Sequence, residues 1–144
     1  MNAIFQTDPN LAFVVLRLGL AVTFFAHGFQ HLPGWFGGRG LKGQVTNWKE
    51  RYRIPIWIGV VGILTEVFSV PAMILGFLTR PFALLLMIFL AVAIWKSHWE
   101  FGFFLSGGGR KGSGIEYCLA LFLMALTLLV GGAGAFSIDS MLSR

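Results

Sequence analysis

The chain has 144 residues, 56% of them hydrophobic and 12% charged, with fifteen Phe and five Trp. No soluble core of this size buries so much apolar surface, so composition excludes a soluble enzyme or binding module and points to one integral membrane domain. The formal net charge of +5 sits mostly in loops between apolar runs, where it reports topology and not a nucleic-acid partner.

Before the first apolar run there is no basic n-region and no small-residue cleavage site, so no cleaved leader is expected. That run, about 11–32, has Asn10 as its N-cap and Arg17 as its one ionised interruption. Near its end His27 and His31 stand i, i+4, on one helix face with Phe24, and Pro33 and Gly34 stop the helix. Trp35 and Phe36 follow in a Gly-rich turn. Within residues 33–53 a short amphipathic helix puts Val45, Trp48 and Tyr52 on one face, a pattern suited to lying along the membrane surface.

The second run, about 54–77, carries Glu66, with Pro71 as an expected kink or local unwinding. Gly59, Gly62, Glu66, Ser69 and Met73 form a stripe of mostly small residues that should face inward. A tight turn at Leu78 to Pro81 makes the third run, about 82–98 and the shortest, an antiparallel neighbour of the second. Residues 96–114 read equally as a movable basic lid or as a solvated linker. The fourth run, about 115–132, opens with Glu116 and contains the single cysteine, Cys118, so there is no internal disulfide and no CxxC pair. Ser137 then caps a short interfacial helix. The expected fold is all-α: an integral membrane four-helix bundle with an interfacial loop helix, one domain over 1–144, both termini on one side.

Loops 33–53 and 96–114 hold eight Lys and Arg against two on the other side, Arg80 and Arg144, so these loops should be cytoplasmic and the termini outside. Counted from aligned helix ends, Arg17 and Glu66 differ in depth by only about 7 Å, which predicts a buried structural ion pair. A protonated Glu66 acting as a proton carrier is the other reading. His27, His31, His98 and Glu116 fall together at the loop end. They suit half-solvated interfacial positions, contacts to a ligand, or a metal or haem site, although no HExxH-type signature supports a metal.

These residues resemble the DoxX family of small four-helix membrane proteins over nearly the whole chain. The resemblance is carried by Arg17 to Leu20, by His27 to Leu41 (HGFQHLPGWFGGRGL), close to the family's HGxQKLFGWFGGxGL pattern, and by Glu66. Gly76 to Arg80 (GFLTR), His98 with Gly102 to Phe104, Gly114 to Tyr117, and Gly134 to Asp139 match in the same order. His31 stands where the family often has Lys, and Ser69 to Ala72 (SVPA) replaces its usual small-residue run.

The resemblance implies an inner-membrane subunit of a quinone-linked redox system, tied to oxidation of sulfur compounds or to detoxification, with a membrane-bound or soluble redox partner protein. On this reading the catalytic residues are His27, Glu66, His98 and Glu116, and His31, Trp35 and Phe36 contact a quinone ring. The rival is a non-catalytic scaffold or chaperone-like subunit of a larger complex, in which the polar centre only holds the helices in register. Either form is compatible with a homo-oligomer in the bilayer.

Overall fold

The computed structural model describes residues 3–105 and 112–143, which fold entirely as helices and turns. Helix α1, Leu11–His31, starts where the Asn10 side chain accepts a hydrogen bond from the Ala12 N–H at 2.9 Å, the cap its sequence predicts. Helix α2, Gly40–Tyr52, ends at Arg53, whose backbone turns left-handed. Helix α3, Ile56–Leu75, follows Pro55 and runs unbroken through Pro71, so the expected local unwinding does not occur.

Gly76 terminates α3 with φ at +60°, and its carbonyl accepts from Asp139 N–H. A side chain there would strike Ser137 and the Arg17 guanidinium, so both the conformation and the crowding require glycine.

Helix α4, Thr79–Ala93, continues through a π turn, Ile94–His98, and a 3-10 turn, Trp99–Phe101. This run was expected to be the shortest; it spans 23 residues from Thr79 to Phe101. Arg80 and Pro81 lie in its first turn, where proline's missing N–H breaks no helical bond. Helix α5 covers Glu116–Gly131 and α6 covers Ile138–Leu142, which Ser137 caps through a bond from Ser140 N–H.

Helices α1, α3, α4 and α5 form a closed ring: α1 packs on α3 and α5, and α4 packs on the other side of both. Leu20, Phe24, Met73, Leu86, Leu121 and Leu128 fill the centre. Val15, Val22, Trp57, Ile88 and Val130 point outward and are more than half exposed, as in a bundle whose solvent is hydrocarbon. Three helices, Leu11–His31, Ile56–Leu75 and Thr79–Phe101, are long and apolar enough to cross a membrane. The fourth, α5, is apolar but reaches only about 24 Å. The protein is a multi-pass membrane protein.

The helices are not level with one another. Gly28 of α1 meets Glu66 and Val67 at the middle of α3, while Arg17 meets Met73 and Ile74 at its end, so the first half of α3 runs on past the end of α1. Helix α2 fills that step. Its Val45 and Trp48 lie against Gly59, and Gln44 and Val45 are buried, so α2 roofs the bundle and does not merely rest along a surface.

Candidate functional site

Two polar centres sit in the bundle, one at each end. At the end that holds the termini, Arg17 is 1% exposed. Its Nη1 donates to the carbonyls of Met73 (2.9 Å) and Ile74 (3.3 Å), and its Nη2 to those of Ala135 (3.1 Å) and Phe136 (3.2 Å). Two of these are free carbonyls of the last turn of α3, the negative end of the helix dipole. Asp139, equally buried, does the reverse: its two carboxylate oxygens accept from the N–H groups of Leu78 (2.8 Å) and Thr79 (2.9 Å) at the start of α4. Each buried charge is therefore met by a helix end. The expected Arg17–Glu66 ion pair does not form, because the offset of α1 along α3 carries Arg17 to the end of α3 while Glu66 stays at its middle.

Glu66 instead pairs with His31, whose Nδ1 lies 2.6 Å from Oε2. Gly28, one turn before His31, eases this approach. A Cβ at that position would lie 3.1 Å from the Val67 side chain and 3.3 Å from the Val67 backbone nitrogen, so any larger residue would require a shift of a few tenths of an ångström between α1 and α3. Glu66 is 1% exposed.

Above this pair opens a cavity of ≈ 510 Å³ between α1, α2, α4 and α5. Of the residues singled out in the sequence, His27, His31, Glu66 and His98 line it. Trp48 stands edge-on to His31 with ring centroids 5.3 Å apart, and His27 lies between His31 (6.1 Å) and Tyr117 (6.5 Å). The exposed Arg39 and Arg51 also line the cavity and make part of its wall cationic. Among the described residues, the side chains of His27, Gln44 and Asn47 make no hydrogen bond within the protein although all three line the cavity, which leaves their donors available to a ligand.

His98 is held by the loop before α5. Its Nδ1 donates to the Ser113 carbonyl at 2.7 Å, so Nε2 is the nitrogen left for other partners.

Three expected site residues are elsewhere. Glu116 does not line the cavity: its Oε1 accepts from Leu105 N–H at 2.6 Å, and its own N–H donates to the Phe103 carbonyl, closing residues 102–105 against 114–116. Trp35 and Phe36 are 54% and 64% exposed and pack on the outside of α1 with Phe25 and Phe29. Positive φ angles at Gly34, Phe36 and Gly37 shape the turn that carries them there. Of the four groups of the metal reading Glu116 thus stands apart, and among the described residues no three His, Cys, Asp or Glu side chains gather as a ligand set. The centre of the basic segment, 106–111, lies outside the described residues.

The sequence reading missed Gln44, Asn47, Trp48 and Tyr117 as cavity residues. The sequence places Trp48 on the apolar face of a surface helix; the face is as expected, but its partner is α3 and His31, not lipid.

A family model described as DoxX matches residues 12–99, from the first turn of α1 to Trp99. The chain belongs to the DoxX family. The matched segment supplies every histidine of the cavity, Glu66 and the α2 roof of this DoxX protein, leaving Tyr117, Cys118 and the loop before α5 beyond it. Neither a curated protein nor a solved structure matches the chain.

Proposed function

We propose that this protein is a quinone-linked redox subunit of a bacterial-type inner membrane, with the quinone ring held in the cavity above the His31–Glu66 pair. The observation that carries the reading is that buried pair, opening onto a cavity lined by aromatic rings and by polar side chains without internal partners. A quinone supplies reversible electron and proton uptake at its ring carbonyls. The side chains that fit it are His27, Gln44 and Asn47, as donors to a carbonyl oxygen, and Trp48, as a flat wall. The His31–Glu66 hydrogen bond sets an imidazole against a carboxyl group beneath the cavity, a pairing of side chains suited to exchanging a proton with a carbonyl oxygen above it.

Electrons come on this reading from a redox partner protein docking at the cavity end. The excess of basic residues in loops 33–53 and 96–114 supports a cytoplasmic position for that end.

The test is to purify the protein from its native membrane in mild detergent and identify the small molecules it retains. A quinone at near one per chain, lost or reduced several-fold in His27→Ala and Trp48→Ala, supports the proposal. An empty protein that also fails to bind added short-chain quinones overturns it and favours the scaffold reading.

A further inference from the structure

The cavity has a neighbour. Between α3 and α4 lies an apolar groove of ≈ 170 Å³, walled by Ile58, Val61, Leu85, Ile88 and Val92. Both helices cross the membrane, and Val61 and Ile88 are 53% and 55% exposed, so the groove faces lipid. Trp48, Phe89, Ala93 and Ser97 line the groove and the cavity alike, and the Trp48 and Phe89 rings, 6.3 Å apart, form the partition between them. The partition is close-set because Gly62 stands behind it: a Cβ there would lie 3.3 Å from the Phe89 ring and 3.8 Å from Trp48.

A polar chamber inside the bundle and an apolar channel open to hydrocarbon, sharing one aromatic wall, match a ligand that is itself divided in the same way. We infer that the groove is a tail subsite: the ligand has a flat polar head seated above His31 and Glu66 and a single hydrocarbon tail, which leaves the protein between α3 and α4 past Trp48 and Phe89. A groove of only ≈ 170 Å³ suits a stretch of one hydrocarbon tail better than the two chains of a phospholipid. The ligand enters from the bilayer and not from water, so its tail remains in hydrocarbon throughout. This inference rests on the quinone reading of the cavity and adds to it the class of ligand and its route of entry.

The experiment measures affinity for two quinone analogues with the same ring, one without a tail and one with a decyl tail, on the purified full chain in detergent. Wild type is compared with Gly62→Leu, which fills the groove behind the partition, and with Val92→Trp, which narrows it from a half-buried position on α4. Partition into the micelle adds the same factor for every variant, so the change in the tailed-to-tailless ratio isolates the groove. Both variants should lower that ratio by about tenfold; Val92→Trp, whose position borders only the groove, should also leave tailless binding within about twofold of wild type, whereas Gly62→Leu crowds the shared Phe89–Trp48 wall and is read by the ratio alone. Should Gly62→Leu fail to fold, Val92→Trp carries the comparison.

Tailless binding with an unchanged ratio in the folded variants overturns the tail subsite while sparing the quinone reading. Loss of a co-purified phospholipid in the variants, again with an unchanged ratio, assigns the groove to an acyl chain and likewise overturns it. If neither analogue binds wild type, the quinone reading fails first and the tail subsite with it.

Discussion

His31 ends α1 and Glu66 lies mid-way along α3, yet Nδ1 of one stands 2.6 Å from Oε2 of the other. Glu66 is buried, and His31 keeps a side-chain exposure of 15% on the cavity side. The pair thus joins the packed interior to the chamber above it.

A double-mutant cycle measures that junction. Glu66→Ala and His31→Ala should each destabilise the protein, and the double variant should lose less than their sum, with a coupling of about 1–3 kcal/mol in reversible unfolding from detergent. Additive losses would show that the two side chains do not stabilise one another. His31→Lys, which restores the residue common in the family, should preserve a charge partner for Glu66 and most of the stability, but weaken any activity that needs an imidazole.

Arg17 should behave independently of Glu66. The depth argument from sequence makes Arg17→Leu and Glu66→Leu rescue each other; the structure makes their losses add to within about 0.5 kcal/mol, since the two share no partner. Arg17→Lys should cost about 2 kcal/mol or more, because one ammonium cannot span the four carbonyls that two guanidinium nitrogens reach. A Lys variant as stable as wild type would sink the clamp.

Three aromatic substitutions separate the inside of the cavity from the outside. Trp35→Ala and Phe36→Ala should leave retention of a bound quinone unchanged, whereas Trp48→Ala should reduce it by about tenfold through loss of a ring wall. Equal losses at positions 35 and 48 would restore Trp35 to the ring contact that the sequence reading gives it.

Sidedness follows from charge. Reporters fused after residue 143 should behave as periplasmic, and a reporter inserted between residues 105 and 112 as cytoplasmic. The opposite pattern would invert the side from which a partner reaches the cavity while leaving the helix ring intact.

Three long spans, the helical bundle and the caps at Asn10 and Ser137 were legible in the sequence because hydrophobic length and capping chemistry are local. The pairing of charges was not, because it depends on how far one helix slides along another. Measuring depth from each helix's own start assumes that all begin at one plane, and the close approach at Gly28 sets a different offset.

Arg17 has a further lesson. A buried cation suggested an acidic side chain as partner, yet a helix that stops at a glycine leaves free carbonyls, and the Gly76 stop was visible in the sequence. Glu116 and Trp35 show the opposite error. Closeness in depth places Glu116, and the quinone reading places Trp35, with the histidines, but their side chains go to a loop N–H and to the outer surface.

Asp139 reaches back across sixty residues to cap α4 at Thr79. In order of synthesis the α3–α4 hairpin therefore precedes its cap, and the N–H groups of Leu78 and Thr79 gain their carboxylate only once residue 139 is made. Arg17 waits in the same way, since half its carbonyl partners, Ala135 and Phe136, emerge after the last long helix. One late segment, residues 135–139, thus delivers both the carbonyls and the carboxylate, and the joint between α1, α3 and α4 is complete only when it arrives.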